Sequence, residues 1–170
     1  VPHVVERVAP VPVVAGGGIV DGRGLAAALA LGAIGVWVGT RFIASRECSA
    51  PDWYKQRIVD AGDGATVRSK WYTGKTCRHL RSEWDTAWDA SGLAALPMPD
   101  QALLTTPMAL GAARVGRHLE SGIFCGQGVA PTTSAMPAHE IGTRVIAPAR
   151  GHRHHRTAAR GSRTADPSHT

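Results

Sequence analysis

Two glycine-bearing turns carry the clearest chemical potential in this chain: Gly16-Gly17-Gly18, and Gly39-Thr40 one strand–helix–strand unit later. Glycine has no Cβ, so such turns tolerate positive φ and let a ligand approach the backbone amides. Amides that open at the carboxyl end of a strand and lead into a helix form an anion site, because unpaired N–H groups and the helix dipole both favour negative charge. The chemistry on offer is therefore to hold a phosphate. A single glycine cluster is also what a tight strand-to-helix turn needs, and that reading stays open for Gly16–Gly18 taken alone. The second turn, placed where it could face the first, favours the cradle.

The neighbouring elements must aim these turns. Val11-Pro12-Val13-Val14 is a β-branched run stopped by glycines, and reads as a short buried parallel strand. Asp21 is placed to cap a helix whose strong formers run from Leu25 to Leu31. Gly32 ends that helix, Val36 and Val38 belong to the next strand, and Gly39-Thr40 opens the second turn. The pattern is α/β.

Further along, Asp52 to Ala61 reads as a helix with Ile58 and Val59 toward the core and Gly62 as its stop. Thr66 to Tyr72 reads as a strand ending in the Thr73-Gly74-Lys75 turn. Gly74-Lys75-Thr76 resembles the end of a nucleotide-triphosphate loop, but Ser69 stands where the first glycine belongs and no apolar strand precedes it, so a solvated basic turn is the reading kept. Leu80 to Ala90 is expected to be a helix docking Trp84 and Trp88 from one face. Gly92 to Asp100 is a linker. Gln101 to Arg114 is the next helix, with Leu103, Leu104, Met108 and Leu110 as its apolar contacts. Ser121 to Val129 is glycine-rich, and Pro137 to Ile146 starts a last helix on which His139 is exposed.

The formal charge of +6 over 170 residues raises nucleic acid as a partner. Residues 148–170, however, hold five of the 19 basic and one of the 13 acidic residues, leaving 14 basic and 12 acidic in the remaining body. The basic character belongs to a tail, so nucleic acid is not the expected partner. From Ala147 on, the chain has too few large apolar residues to offset ordering entropy and reads as a disordered basic tail; His152, His154 and His155 have nothing to position them on a metal. Three widely spaced cysteines, Cys48, Cys77 and Cys125, suggest neither a disulfide framework nor a zinc site, and fit a reducing, cytoplasmic setting. The uncharged window Gly24–Thr40 is broken by Gly32, Gly35 and Gly39 and is short for a membrane span, so it reads as helix plus strand.

Val14-Ala15-Gly16-Gly17-Gly18-Ile19-Val20-Asp21-Gly22-Arg23-Gly24, with Ala28-Leu29-Ala30-Leu31-Gly32-Ala33 and Gly39-Thr40-Arg41-Phe42, resembles the carboxyl-terminal barrel segment of nitronate monooxygenases, also called 2-nitropropane dioxygenases. That resemblance implies an FMN-dependent (β/α)8 barrel enzyme oxidising a nitronate with dioxygen. It also implies that Gly17, Gly18, Trp37, Val38, Gly39 and Thr40 contact the FMN phosphate, in keeping with barrel phosphate sites after strands 7 and 8. Flavin enoyl-thioester reductases share the segment and are the alternative, as is a non-catalytic barrel remnant. Family members commonly carry the Gly126-Gln127-Gly128 motif, which places that loop near the flavin or at the barrel mouth. The family's substrate-contacting histidine lies on an earlier strand; His3, His79, His118 and His139 stand in other contexts, so no catalytic residue is assigned.

Because a flavin barrel takes roughly 250 residues, the chain is expected to be a fragment. It would comprise a partial barrel with strands 7 and 8 in residues 1–50, a helical closing region in 51–146 and a tail in 147–170. The partners expected are a complementing barrel chain or a homo-oligomer, the missing strands being either on another chain or lost. An isolated half barrel exposes strand edges and core, so weak FMN binding and negligible turnover are expected of it.

Overall fold

In the computed structural model, residues 1–118 and 121–147 are described. A first helix, α1 (Pro2–Val8), leads through two prolines into β1 (Val14–Gly16). β1 pairs in parallel with β2 (Gly35–Trp37), in the register Val14↔Gly35, Ala15↔Val36 and Gly16↔Trp37. Between them runs α2 (Gly22–Ala30). This is the β–α–β unit expected of an α/β chain, with both strands ending at the two glycine turns. The strand expected at Val11–Val14 instead begins at Val14. Pro10 and Pro12 have no N–H to give a ladder, and the first recorded bond of the pairing is Ile34 N–H to the Val13 carbonyl, 2.8 Å.

Asp21 does cap α2. One carboxylate oxygen accepts from the amides of Arg23 (3.0 Å) and Gly24 (3.2 Å), and the other pairs with the Arg23 guanidinium at 2.7 Å. At the far end Gly32, at φ +97°, turns the chain back into β2. Ala15, Ala28 and Ala33 form the buried seam between helix and strands, flanked by Ile19 and Val36. Small residues there let α2 lie close on a two-stranded sheet.

After β2 a single turn, α3 (Thr40–Ile43), precedes α4 (Asp52–Val59). Ile58 is fully buried, as its spacing predicted. It joins Ala44, Leu80, Ile123, Cys125 and Val129 in the largest core cluster. β3 (Thr66–Ser69) and β4 (Cys77–Leu80) then form an antiparallel pair. Here the structure corrects the sequence reading twice. The strand from Thr66 stops at Ser69, three residues short of Tyr72. The segment at 77–80, which includes the expected start of a helix at Leu80, is a strand. β4 is extended because it is sandwiched: Leu80 N–H donates to the Ile123 carbonyl (3.0 Å) and Cys125 N–H to the Arg78 carbonyl (3.2 Å), so both edges of β4 are used.

The helix α5 (Glu83–Ser91) starts only after Ser82, whose side chain accepts from the Asp85 amide while the Asp85 carboxylate accepts from the Ser82 amide. This reciprocal cap is a local start signal. Its indoles pack as expected from one face, Trp84 and Trp88 lying 5.4 Å apart and Trp88 stacking on Trp71.

In α6 (Asp100–Arg114) the element is where the sequence puts it, but its orientation is not. Leu103, Leu104 and Leu110 are exposed, Leu103 at 71%, while Gln101 and Thr105 are buried. The reason is polar: Gln101 donates to the Trp71 carbonyl (2.6 Å) and accepts from the Leu96 amide (2.9 Å), and Thr105 donates to the Tyr72 carbonyl (2.6 Å). The turn after β3 leaves these carbonyls without a ladder, and a buried unpaired carbonyl costs more than an exposed leucine.

A last helix, α7 (residues 138–147), is capped by Glu47, which accepts from the Ala138 amide at 2.8 Å. Met136, Ile141 and Val145 pack it against Leu25 and Phe42, and His139 is exposed as expected. The basic tail, with His152, His154 and His155, lies outside the described residues. Among the described residues no helix is long and apolar enough to cross a membrane, and no His, Cys, Asp and Glu group is arranged to hold a metal.

Candidate functional site

The two glycine turns meet. At the carboxyl ends of β1 and β2 they line one cavity of about 410 Å³, with Gly16 to Val20 on one side and Trp37, Gly39 and Thr40 on the other. Gly17 and Gly18 take φ of +106° and +71°, backbone that an L side chain rarely adopts, and a Cβ on either would stand in open space at the cavity. Glycine is thus required here for conformation, and the openness is what a ligand would fill. The wall is mostly backbone.

A third element closes the cavity: the Gly126–Gly128 loop. Thr40 Oγ1 accepts a hydrogen bond from the Gly126 amide at 2.7 Å, which ties the second turn to this loop across 86 residues. Gly128 packs against Val20 so closely that a Cβ would meet Val20 Cγ1 at 2.5 Å. Gln127 opens the short 3-10 turn Gln127–Val129.

Of the six residues singled out from the sequence, Gly17, Gly18, Trp37, Gly39 and Thr40 line this cavity. Val38 does not; it sits half-buried between Trp37 and Gly39 and contributes chain geometry. Trp37 is 77% exposed, an indole left on the rim. Gly126 and Gly128 belong to the lining and were absent from the assigned set. The Gly-Gln-Gly pattern was their only local signal, and nothing in the sequence places it against Thr40.

Two nearby groups were not legible at all. His79, fully buried on β4, meets the Asp85 carboxylate at 2.8 Å through Nε2. Asp85 also accepts from the Ser82 amide (2.9 Å) and hydroxyl (2.8 Å). Burial alone would raise the Asp85 carboxyl, but hydrogen bonds from His79 and Ser82 outweigh it and hold the carboxyl below its ordinary range. This network braces β4, and β4 in turn holds Cys125, the residue before the cavity loop. Cys125 itself is kept a thiol, since burial pushes its pKa up to about 11. A thiolate nucleophile at the cavity is therefore not on offer.

The arrangement can bind an anionic group through backbone and one hydroxyl. Its residues fit the phosphate end of FMN: a glycine-lined cavity, open space where a Cβ would otherwise stand, and a helix, α2, whose amino-terminal turn follows directly.

A family model described as nitronate monooxygenase matches residues 1–147. The chain is 33% identical to a Bacillus subtilis protein named "Probable nitronate monooxygenase" over 131 residues, which is 77% of this chain and 38% of that one. It is 55% identical to the nitronate monooxygenase npaC of Metarhizium robertsii over 73 residues, 42% of this chain and 19% of that one. Among solved structures, a nitroalkane oxidase from Streptomyces ansochromogenes aligns with a TM-score of 0.80 and 30% identity, covering 91% of this chain and 43% of its own. FabK from Thermotoga maritima aligns with a TM-score of 0.69 and 30% identity, covering 94% and 50%. The chain thus spans less than half the length of the curated relatives named here. With the family match running from the first residue through α7, and including both glycine turns and the loop that closes them, the chain belongs to the nitronate monooxygenase family.

Proposed function

We propose that this chain supplies the FMN-phosphate anchor of a flavin-dependent oxidoreductase that oxidises nitronates with dioxygen, the β1–α2–β2 unit corresponding to strands 7 and 8 of a partial (β/α)8 barrel. The observation that carries the reading is the convergence of Gly17, Gly18, Gly39, Thr40 and Gly126 on one cavity at the carboxyl ends of parallel strands. That is where barrel enzymes bind phosphate.

FMN, when bound, supplies the redox chemistry. The residues of this chain bind and orient. The backbone of the two turns receives the phosphate, the Thr40 hydroxyl fixes the Gly126 loop over it, and the exposed Trp37 face borders the open side. Among the described residues, no side chain lining the cavity is a proton donor or acceptor suited to general acid–base work, so the residues named here bind and orient rather than move protons. On this reading residues 1–50 form the barrel anchor and residues 51–146 close over it.

An FMN titration of the purified chain, followed by flavin fluorescence, tests the anchor. Saturable binding that falls when Thr40 or Gly18 is changed supports it; no binding at any concentration refutes it. Nitronate-dependent oxygen uptake by protein containing this segment tests the substrate. The second reading, a flavin enoyl-thioester reductase, draws on the likeness to FabK and predicts NADH oxidation with an enoyl thioester instead.

A further inference from the structure

Beside the glycine cavity, and sharing Val20 with it, lies a second cavity of about 200 Å³ between the α2 cap, α3 and α7. Its polar lining is Asp21, Arg23, Arg41, Thr133, Ser134 and Arg144. Three guanidiniums thus face one carboxylate, and that carboxylate is already engaged: Asp21 pairs with Arg23 and caps α2. Arg41 and Arg144 have no acidic partner among the described residues.

Arg41 is the unusual member. It is only 6% exposed, yet its one hydrogen bond among the described residues is from Nη1 to the neutral Ser134 carbonyl, 2.8 Å. A guanidinium carries five N–H donors, and none of those on Arg41 is sealed away without a partner, so its remaining donors open on the cavity it lines. Burial first, and the nearby Arg144 second, pull the Arg41 pKa down from its ordinary value. Arg144 is exposed on α7 and makes no hydrogen bond or ion pair among the described residues.

We propose that the Arg41–Arg144 cavity is a second anion site, separate from the glycine cavity, which takes a phosphate group as the free ion or as the monoester of a small molecule. A phosphate offers several acceptor oxygens in different directions. It can therefore be shared by two guanidiniums that approach from different elements, α3 and α7, in charge-assisted hydrogen bonds. The site sits one residue from Thr40, so its occupant would stiffen the turn that holds Gly126.

The test titrates inorganic phosphate, and in parallel glycerol 3-phosphate, into the full chain against chloride at constant ionic strength, by calorimetry and by the Arg side-chain Nε–H resonances in NMR. The expected result is saturable binding with a dissociation constant on the order of 1 mM, a shift of the Arg41 Nε–H signal, and a loss of about tenfold or more in Arg144→Gln. Arg144 is exposed, so this variant keeps its melting temperature. Thr40→Ala, which removes the tie to Gly126 but leaves Arg41 and Arg144 in place, retains phosphate binding at the second site. Tighter binding of the ester identifies a monoester as the source, and equal binding the free ion. Absence of saturation with both probes overturns the proposal, as does binding that survives Arg144→Gln but disappears in Thr40→Ala, which would place the phosphate in the glycine cavity.

Discussion

Removing the Thr40 hydroxyl isolates the link between the second glycine turn and the loop that closes over it. In Thr40→Ala the Gly126 amide loses its acceptor at 2.7 Å. The lost hydrogen bond and the part-buried N–H left behind together cost about 1–2 kcal/mol. If that cost falls on the ligand-competent arrangement of the loop, FMN affinity drops by about 5- to 30-fold. Gly17 and Gly18 are untouched, so binding weakens rather than vanishes. The assay is a flavin-fluorescence titration of wild type, Thr40→Ala and Thr40→Ser. Thr40→Ser keeps an oxygen at the same place and is expected to stay within about threefold of wild type, because it loses only a methyl group. Should Thr40→Ala bind FMN as wild type does while Thr40→Ser is impaired, the hydroxyl is not what orders the cavity, and the reasoning fails.

Two further outcomes concern the frame around the site. Gly74 has φ +78°, and a Cβ there would meet backbone at Met98 N (2.5 Å), Leu96 O (2.6 Å) and Pro97 C (2.7 Å); Gly74→Ala is therefore expected to destabilise by about 2 kcal/mol or more, from left-handed strain plus displacement of the 96–98 segment, read as a lower urea midpoint. The Asp85 carboxyl is held below its unfolded value of about 3.9, so its stabilising contribution is complete above that pH and is lost as pH falls through the folded value; far-UV circular dichroism between pH 5 and pH 2 (roughly the range over which a depressed Asp titrates) should show an acid transition that is shallower in Asp85→Asn than in wild type.

Several features were decided locally and were legible in the residues. Asp21 before an apolar helical run caps α2, Gly32 turns it, and the glycines at 16–18 and 39 mark strand ends. Each depends on backbone freedom or on a hydrogen bond between near neighbours, which sequence order itself supplies. The α/β reading follows from that; the six candidate residues were instead implied by the family resemblance, and five of the six line the cavity. Other features were not local. The face of α6 was set by the carbonyls of Trp71 and Tyr72, so Gln101 and Thr105 went inward and the leucines outward, against the hydrophobic pattern. β4 became a strand because it has partners on both edges, β3 and residues 123–125, and His79 became a buried partner of Asp85 for the same reason.

The sequence by itself determined the two glycine turns and the β–α–β unit that aims them, since positive φ, helix capping and strand length are properties of neighbouring residues. Only the tertiary structure decided that Gly126 would close the cavity through Thr40, and that Arg41 and Arg144 would share a space whose one carboxylate, Asp21, is already paired with Arg23. Both depend on contacts between residues 86 or more positions apart in the first case and on different helices in the second. Such contacts are selected by packing of the whole chain, and no local pattern encodes them.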